Sequence, residues 1–169
     1  MAIDMFLKLD SVQGESTDSK HTGEIELVSF SHAVSNQSTV GSGTSGSGAG
    51  KASFGALKFV ARTNNSSSTL FQVASSGDHF KTAKLTARKA GKEQQEYFTI
   101  ELTEVYVSEY SNGYQPLDIN NPGSEVAHVD LVSLTYKTIK ITYKPQKADG
   151  TLGAPAIGQY NLGNNTAKV

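Results

Sequence analysis

From His79 to Ser108 apolar residues recur at every second position on both sides of a glycine-containing break, a pattern that fits one long β-hairpin. In the first arm Ala83, Leu85 and Ala87 alternate with Lys84, Thr86 and Arg88. In the second, Phe98, Ile100 and Leu102 alternate with Tyr97, Thr99 and Glu101. Successive side chains of a strand point to opposite faces, so each arm has one dry and one wet side. Ala90, Gly91, Lys92 and Glu93 supply the turn. If both dry sides are to meet one core, Leu85 must oppose an even-numbered residue. Pairing Leu85 with Ile100, Ala87 with Phe98 and Ala83 with Leu102 does this, and it sets Lys84 against Glu101 and Thr86 against Thr99. A register displaced by two residues satisfies the same parity. After Leu102 the apolar residues are Val105 and Val107, so the parity flips near Thr103 and Glu104 and a β-bulge is expected there.

The rest of the chain reads as further short strands. Met5 to Leu9 is a strand, and Gln13 to Thr22 a polar loop. Between Glu24 and Ser35 the apolar positions pass from Ile25 and Leu27 to Val28, Phe30, His32 and Val34, which implies a bulge or a strand changing sheets. Past that flip Ser29, Ser31, Ala33 and Ser35 point away from the core and form a small, uncharged face. Phe54 to Arg62 is a strand. The only helix expected lies in NNSSSTLFQVASSG, capped by Asn65 or a following serine, with Leu70, Val73 and Ala74 on one stripe and Gly77 as its stop. Ser111 to Gly123 reads as a turn-rich loop because of Asn112-Gly113 and Asn121-Pro122-Gly123. Val126 to Tyr143 is too long for one flat strand and should bend near Val132, and a last short strand begins at Tyr160. About eight strands and one short helix predict an antiparallel barrel or sandwich.

Composition limits function more than fold. At 169 residues the chain suits a single core, and a net charge of −1 gives no electrostatic footprint for nucleic acid or an anionic membrane. Charge is nevertheless segregated, at −4, +7, −8 and +4 over residues 1–50, 51–92, 93–135 and 136–169. The plainer reading is neutralisation across the hairpin; the sharper one is head-to-tail contact between unlike edges of identical subunits. There is no cysteine, and MAIDMFLKLD has neither the basic end nor the apolar run of a signal peptide. No apolar run is long enough to span a membrane as a helix.

Catalytic motifs fail on inspection. Gly41, Gly43 and Gly46 spell G-x-G-x-x-G, but no helix opens after them, and Gly50-Lys51 lacks the Ser or Thr that a phosphate-binding loop needs next. Residues 36–50 read instead as a flexible Gly/Ser-rich extended loop within the domain. His21, His32, His79 and His128 lack metal-ligand spacing, and there is no G-x-S-x-G elbow and no thiol nucleophile. Neither cofactor nor metal is implied, and the chain is not expected to be an enzyme. Tyr106, Tyr110 and Tyr114 could stack against sugar rings, which leaves a carbohydrate-binding β-sandwich as a minor alternative.

Several stretches carry a resemblance. SSGDHFKTAKLTARKAGKEQQEYFTIELTEVYVS, the opening MAIDMFLKLDSVQGESTDSKHTGEIELVSFS and the later YKPQKADG resemble the haemolysin-coregulated protein (Hcp) family, the tube protein of bacterial type VI secretion systems, in matching order over nearly the whole chain. The resemblance implies a single domain over 1–169, mainly β: an antiparallel β-barrel of two packed sheets with one short α-helix on its side. It also implies a homo-hexameric ring, rings stacked into a tube, and assembly in the bacterial cytoplasm with secretion to the outside or into a target cell. Implied partners are effectors in the lumen together with spike and sheath components, with no nucleic acid and no membrane insertion. By the same resemblance Ser29, Ser31 and Ala33 face lumen and effector, and Gly41, Gly43, Gly46, Gly48 and Gly50 belong to a ring-stacking loop. A phage-like tail-tube protein is the nearest alternative.

Overall fold

The computed structural model describes residues 3–36, 51–89, 94–118, 120–121 and 123–168. Ten strands and one helix follow one another as β1 (Ile3–Leu9), β2 (Ile25–Ser31), β3 (Val34–Asn36), β4 (Ala52–Phe54), β5 (Leu57–Arg62), α1 (Ser66–Ser76), β6 (His79–Lys89), β7 (Glu96–Pro116), β8 (Val126–Tyr143), β9 (Ala156–Asn161) and β10 (Thr166–Lys168). Six of them, in the order β8-β5-β2-β1-β6-β7, form a sheet that closes when β7 also pairs with β8. All the pairings are antiparallel. The first part of β8 pairs with β5 and its last part with β9, so β9 and β10 extend the sheet beyond the barrel. β3 and β4 form a separate two-stranded ribbon.

The central hairpin has the expected register: Leu85 opposes Ile100, Ala87 opposes Phe98, Ala83 opposes Leu102, and Lys84 and Thr86 face Glu101 and Thr99. Its turn residues 90–93 lie outside the described residues. The barrel interior is filled by one side chain after another from these strands, among them Leu7, Leu27, Leu57, Phe59, Leu85, Ile100, Val105 and Leu134, all buried. Fully burying an aliphatic side chain of this size stabilises by about 1.5–3 kcal/mol.

The parity flip in the hairpin has a different origin from the one expected. No register shift occurs at Thr103 and Glu104; Phe80 still faces Val105 and Thr82 still faces Thr103. Instead β6, β7 and β8 flip together, between Phe80 and Ala83, between Leu102 and Val105, and between Tyr136 and Ile139, so no strand needs an extra residue. Glu104 marks the step with φ 46°, and its carboxylate accepts from Lys137 Nζ at 2.8 Å. The bulge expected in the second strand is present, a register shift between Leu27 and Ser29 against β5. β8 has the predicted bounds, and its register against β7 shifts opposite Ser133 and Leu134, next to the predicted bend.

Further expectations need correction: the strand expected over Phe54 to Arg62 is broken, with β4 ending at Phe54 and β5 starting at Leu57, and the strand expected from Tyr160 already begins at Ala156. Residues 111–116 are not loop: β7 continues to Pro116 and pairs with β8 up to Val126. Asn112-Gly113 makes no turn because Asn112 Nδ2 donates to Asp130 Oδ1 at 2.6 Å and its Oδ1 faces His128 Nε2 at 2.7 Å, which fixes it as a strand residue. Helix α1 is where it was expected and Gly77 ends it at φ 75°, but the capping side chain is Asn64, whose Oδ1 accepts from Ser66 N at 2.9 Å. The adjacent Asn65 makes no side-chain cap bond.

Candidate functional site

The small-residue face expected on β2 is real. Phe30 points inward and stacks on Phe98 with centroids 6.1 Å apart, which leaves Ser29 and Ser31 exposed on the other side. Ala33 is also exposed, but it lies between β2 and β3, where its carbonyl accepts from Gly55 N at 2.9 Å. What sequence reading missed is the neighbour across the ladder. Ser29 faces Val60, and Ser31 faces Lys58 of β5, an exposed cation beside a face that the linear pattern presented as uncharged. Alternation within β5 could have revealed Lys58 as outward; only the pairing of β2 with β5 places it beside Ser31.

Farther along the chain from Ser31, at the β3–β4 ribbon, His32 Nε2 lies 2.6 Å from Tyr136 Oη, which donates to Gly55 O at 3.1 Å. With the phenol proton so used, His32 is the donor in its own bond to Tyr136. Burial pushes the Tyr136 phenol up to about 12 and lowers the His32 imidazole. Phe54 stacks on Tyr160 at 4.5 Å, which fastens β4 of the ribbon to β9. Gly41, Gly43, Gly46, Gly48 and Gly50, expected beyond this root, lie outside the described residues.

At the other end of β5, α1 packs against the barrel beside β7. Leu70 is buried in the core, and the fully buried Asp130 accepts hydrogen bonds from Ser67 Oγ, from Thr63 Oγ1 at 3.3 Å, from Tyr110 Oη at 3.0 Å and from Asn112 Nδ2. Four neutral donors answer one buried carboxylate, the condition under which such a group is tolerated. Burial first, and the hydrogen bond to Asp130 second, raise the Tyr110 phenol. Beside this network a groove of about 660 Å³ opens between α1 and β7, lined by Phe71, Val107, Glu109 and Tyr110 among others.

Each tyrosine considered for a sugar platform meets a different aromatic partner. Tyr106 stacks on His79, Tyr114 on His128, and Tyr110 meets Phe71 edge-on. His21, by contrast, is buried, its ring stacked 4.3 Å from Phe6 and its Nδ1 2.9 Å from Glu24 Oε2. Among the described residues no three His, Asp or Glu side chains are grouped to hold a metal ion, and no helix is long and apolar enough to cross a membrane.

The architecture is thus a closed, mainly β antiparallel barrel with one helix and extra strands. The family model described as type VI secretion system effector, Hcp, matches residues 6–143. Protein hcp1 of Pseudomonas aeruginosa is 39% identical over 167 residues, 98% of each chain. Among solved structures, one of a type six secretion system protein superposes with a TM-score of 0.87 at 30% identity, covering 99% of this chain and 100% of the other. Hcp1 from Salmonella typhimurium gives 0.78 at 30% identity with the same coverage. The chain therefore belongs to the Hcp family of type VI secretion system proteins.

Proposed function

We propose that six copies of this chain close into a ring, that rings stack into the inner tube of the secretion apparatus, and that the exposed β2–β5 face turns to the lumen to meet effectors. The observation that carries the reading is likeness over the whole chain, in sequence and in fold, to Hcp proteins. Surface chemistry supports it: Ser29, Ser31 and Ala33 offer a smooth, hydroxyl-bearing surface without aromatic anchors, suited to cargo that must bind and then leave. The role is structural rather than catalytic. Assembly takes place in the bacterial cytoplasm with spike and sheath components as partners, and export is to the extracellular space or a target cell.

Ser31→Gln tests the lumen assignment. The side chain is exposed, so the change should alter stability by no more than about 0.5 kcal/mol, and rings should still form. Symmetry places six copies of the longer amide in one channel, so effector recovered with the variant should fall relative to the parent in parallel co-purification. Equal recovery, with rings confirmed for both, would show that Ser31 does not touch that cargo.

A further inference from the structure

We infer that Lys58 sets which cargo the β2–β5 face accepts, and that it selects a protein segment presenting aspartate or glutamate carboxylates. The inference rests on the lumen reading above and adds the chemical class of the cargo.

The outward side of β5 carries Lys58, Val60 and Arg62, alternating with the buried Leu57, Phe59 and Ala61. Its two cations have different surroundings. Arg62 donates to both carboxylate oxygens of Glu125, each at 3.0 Å, so its charge is answered within the chain. Lys58 is exposed and makes no ion pair among the described residues. Its ladder neighbours are Ser31 on β2 and Ser133 on β8. Ser133 is buried, and its hydroxyl donates to Glu109 Oε2 at 3.1 Å, so that proton and the next carboxylate along the row are already engaged. Glu26, the acidic residue of β2, is separated from Ser31 by roughly 16 Å of strand at about 3.3 Å per residue. Lys58 thus presents an ammonium beside an exposed hydroxyl, with no carboxylate of the described chain to meet it.

A carboxylate answers both groups. Opposed residues of a ladder have Cβ atoms about 4.5–5.5 Å apart, so Lys58 Nζ and Ser31 Oγ can converge on one acceptor, the ammonium donating to one oxygen and the hydroxyl to the other. Next to this pair Val60 faces Ser29 on one side and Leu131 on the other, and both Val60 and Leu131 are half-buried. They give the aliphatic part of an acidic segment a surface to cover. A basic segment would meet an unanswered like charge there and be turned away. One exposed ion pair is weak and screened by salt. Six copies around one channel make the contact multivalent, so cargo with several carboxylates is held by the set while each single pair releases readily.

The test uses rings confirmed by sedimentation velocity and fluorescein-labelled hexaglutamate and hexalysine peptides, with binding read by fluorescence anisotropy. Parent rings should bind hexaglutamate, less well as salt rises from about 0.1 M to about 1 M. Lys58→Gln should weaken that binding about fivefold or more, Lys58→Arg should keep it, and Lys58→Glu should abolish it and take up hexalysine instead. Position 58 is exposed, so all three variants should fold and form rings as the parent does. Rescue by arginine and reversal by glutamate separate selection by charge from a structural role. Parent rings that ignore hexaglutamate, or variants that all bind it as the parent does, would overturn the assignment to Lys58; if Ser31→Gln still loses effector in co-purification, the lumen reading stands without it. If rings form and neither Lys58→Glu nor Ser31→Gln alters any binding, the β2–β5 face is not the cargo wall, and the inference falls with that reading.

Discussion

Arg88 carries a full charge at 2% exposure, and its neighbours show how the barrel tolerates this. Its guanidinium donates to Asp18 and to Asp4 and lies over the Phe6 ring, 4.8 Å from the centroid. Arg88 itself is buried while Asp4 and Asp18 keep part of their surface in water, so Arg88→Met removes the shared partner of two carboxylates and should lower stability in urea unfolding. The effect is also visible in acid. The Arg88 hydrogen bond first, then the backbone N–H of Lys20, hold the Asp18 carboxyl down from its ordinary 3.8 to about 2. A folded value below the unfolded one means that the contribution is fully present above about pH 4 and is lost as pH falls toward about 2. Asp18→Asn should therefore lower Tm at neutral pH and flatten its fall across that window; a parent-like slope would remove Asp18 from the acid response. Arg88 and Thr86 were legible as outward-facing, and they are. Their burial was not legible, because it comes from the 10–24 loop, which folds back over β1 and β6 and covers Phe6 with His21. Alternation reports which way a side chain points, not what later lies on top of it.

That loop depends on a glycine for reasons of space. Gly14 N donates to Gly23 O at 2.8 Å, and a Cβ on Gly14 would sit 2.3 Å from the Glu24 carbonyl oxygen, an atom that cannot rotate away. Gly14→Ala should cost more than the roughly 1 kcal/mol expected of Gly77→Ala, where φ is 75° but the space is open. Thermal denaturation of the two variants side by side checks the order, and a Gly14→Ala protein as stable as the parent would refute the clash. The central hairpin, with strong two-residue alternation, was legible to the register because burial on one side fixes it, and β8 was legible to its bounds. The end of β7 was misread for the opposite reason. Asn112-Gly113 is a strong local turn signal, but the bonds of Asn112 to Asp130 and His128 hold it in the ladder, and Asp130 is 18 residues away in sequence. The joint flip of β6, β7 and β8 is hidden in the same way: each strand alone looks like a bulge, and only the ladder shows that all three step together.

At the scale of the whole molecule, barrel closure changes the reason to expect a ring. An open sheet would have to hide its edges, but six strands close on themselves here, and β9 with β10 forms the free extension. What remains is surface charge. The wet face of β1, β6, β7 and β8 carries Lys8, Lys84, Glu101 and Lys140 in one row, each facing the next across the ladder. Lys140 pairs with Glu101 at 3.0 Å, while Lys8 and Lys84 form no salt bridge among the described residues. The α1–β7 side presents Glu109 with no lysine or arginine in its groove. Unlike walls on one barrel favour heterologous contact around a cyclic axis over a symmetric dimer. The chain should therefore sediment as a cyclic hexamer at low micromolar concentration. Because exposed charges set this complementarity, the hexamer should loosen as salt rises and the Debye length falls from about 10 Å at 0.1 M to about 3 Å at 1 M. Lys8→Glu combined with Lys84→Glu should shift the equilibrium toward smaller species without lowering the thermal stability of the monomer. Sedimentation velocity that finds only an 18.0 kDa species for the parent under low salt would end the ring reading. A hexamer indifferent to both salt and the two substitutions would keep the ring and place its contacts on the apolar surface instead.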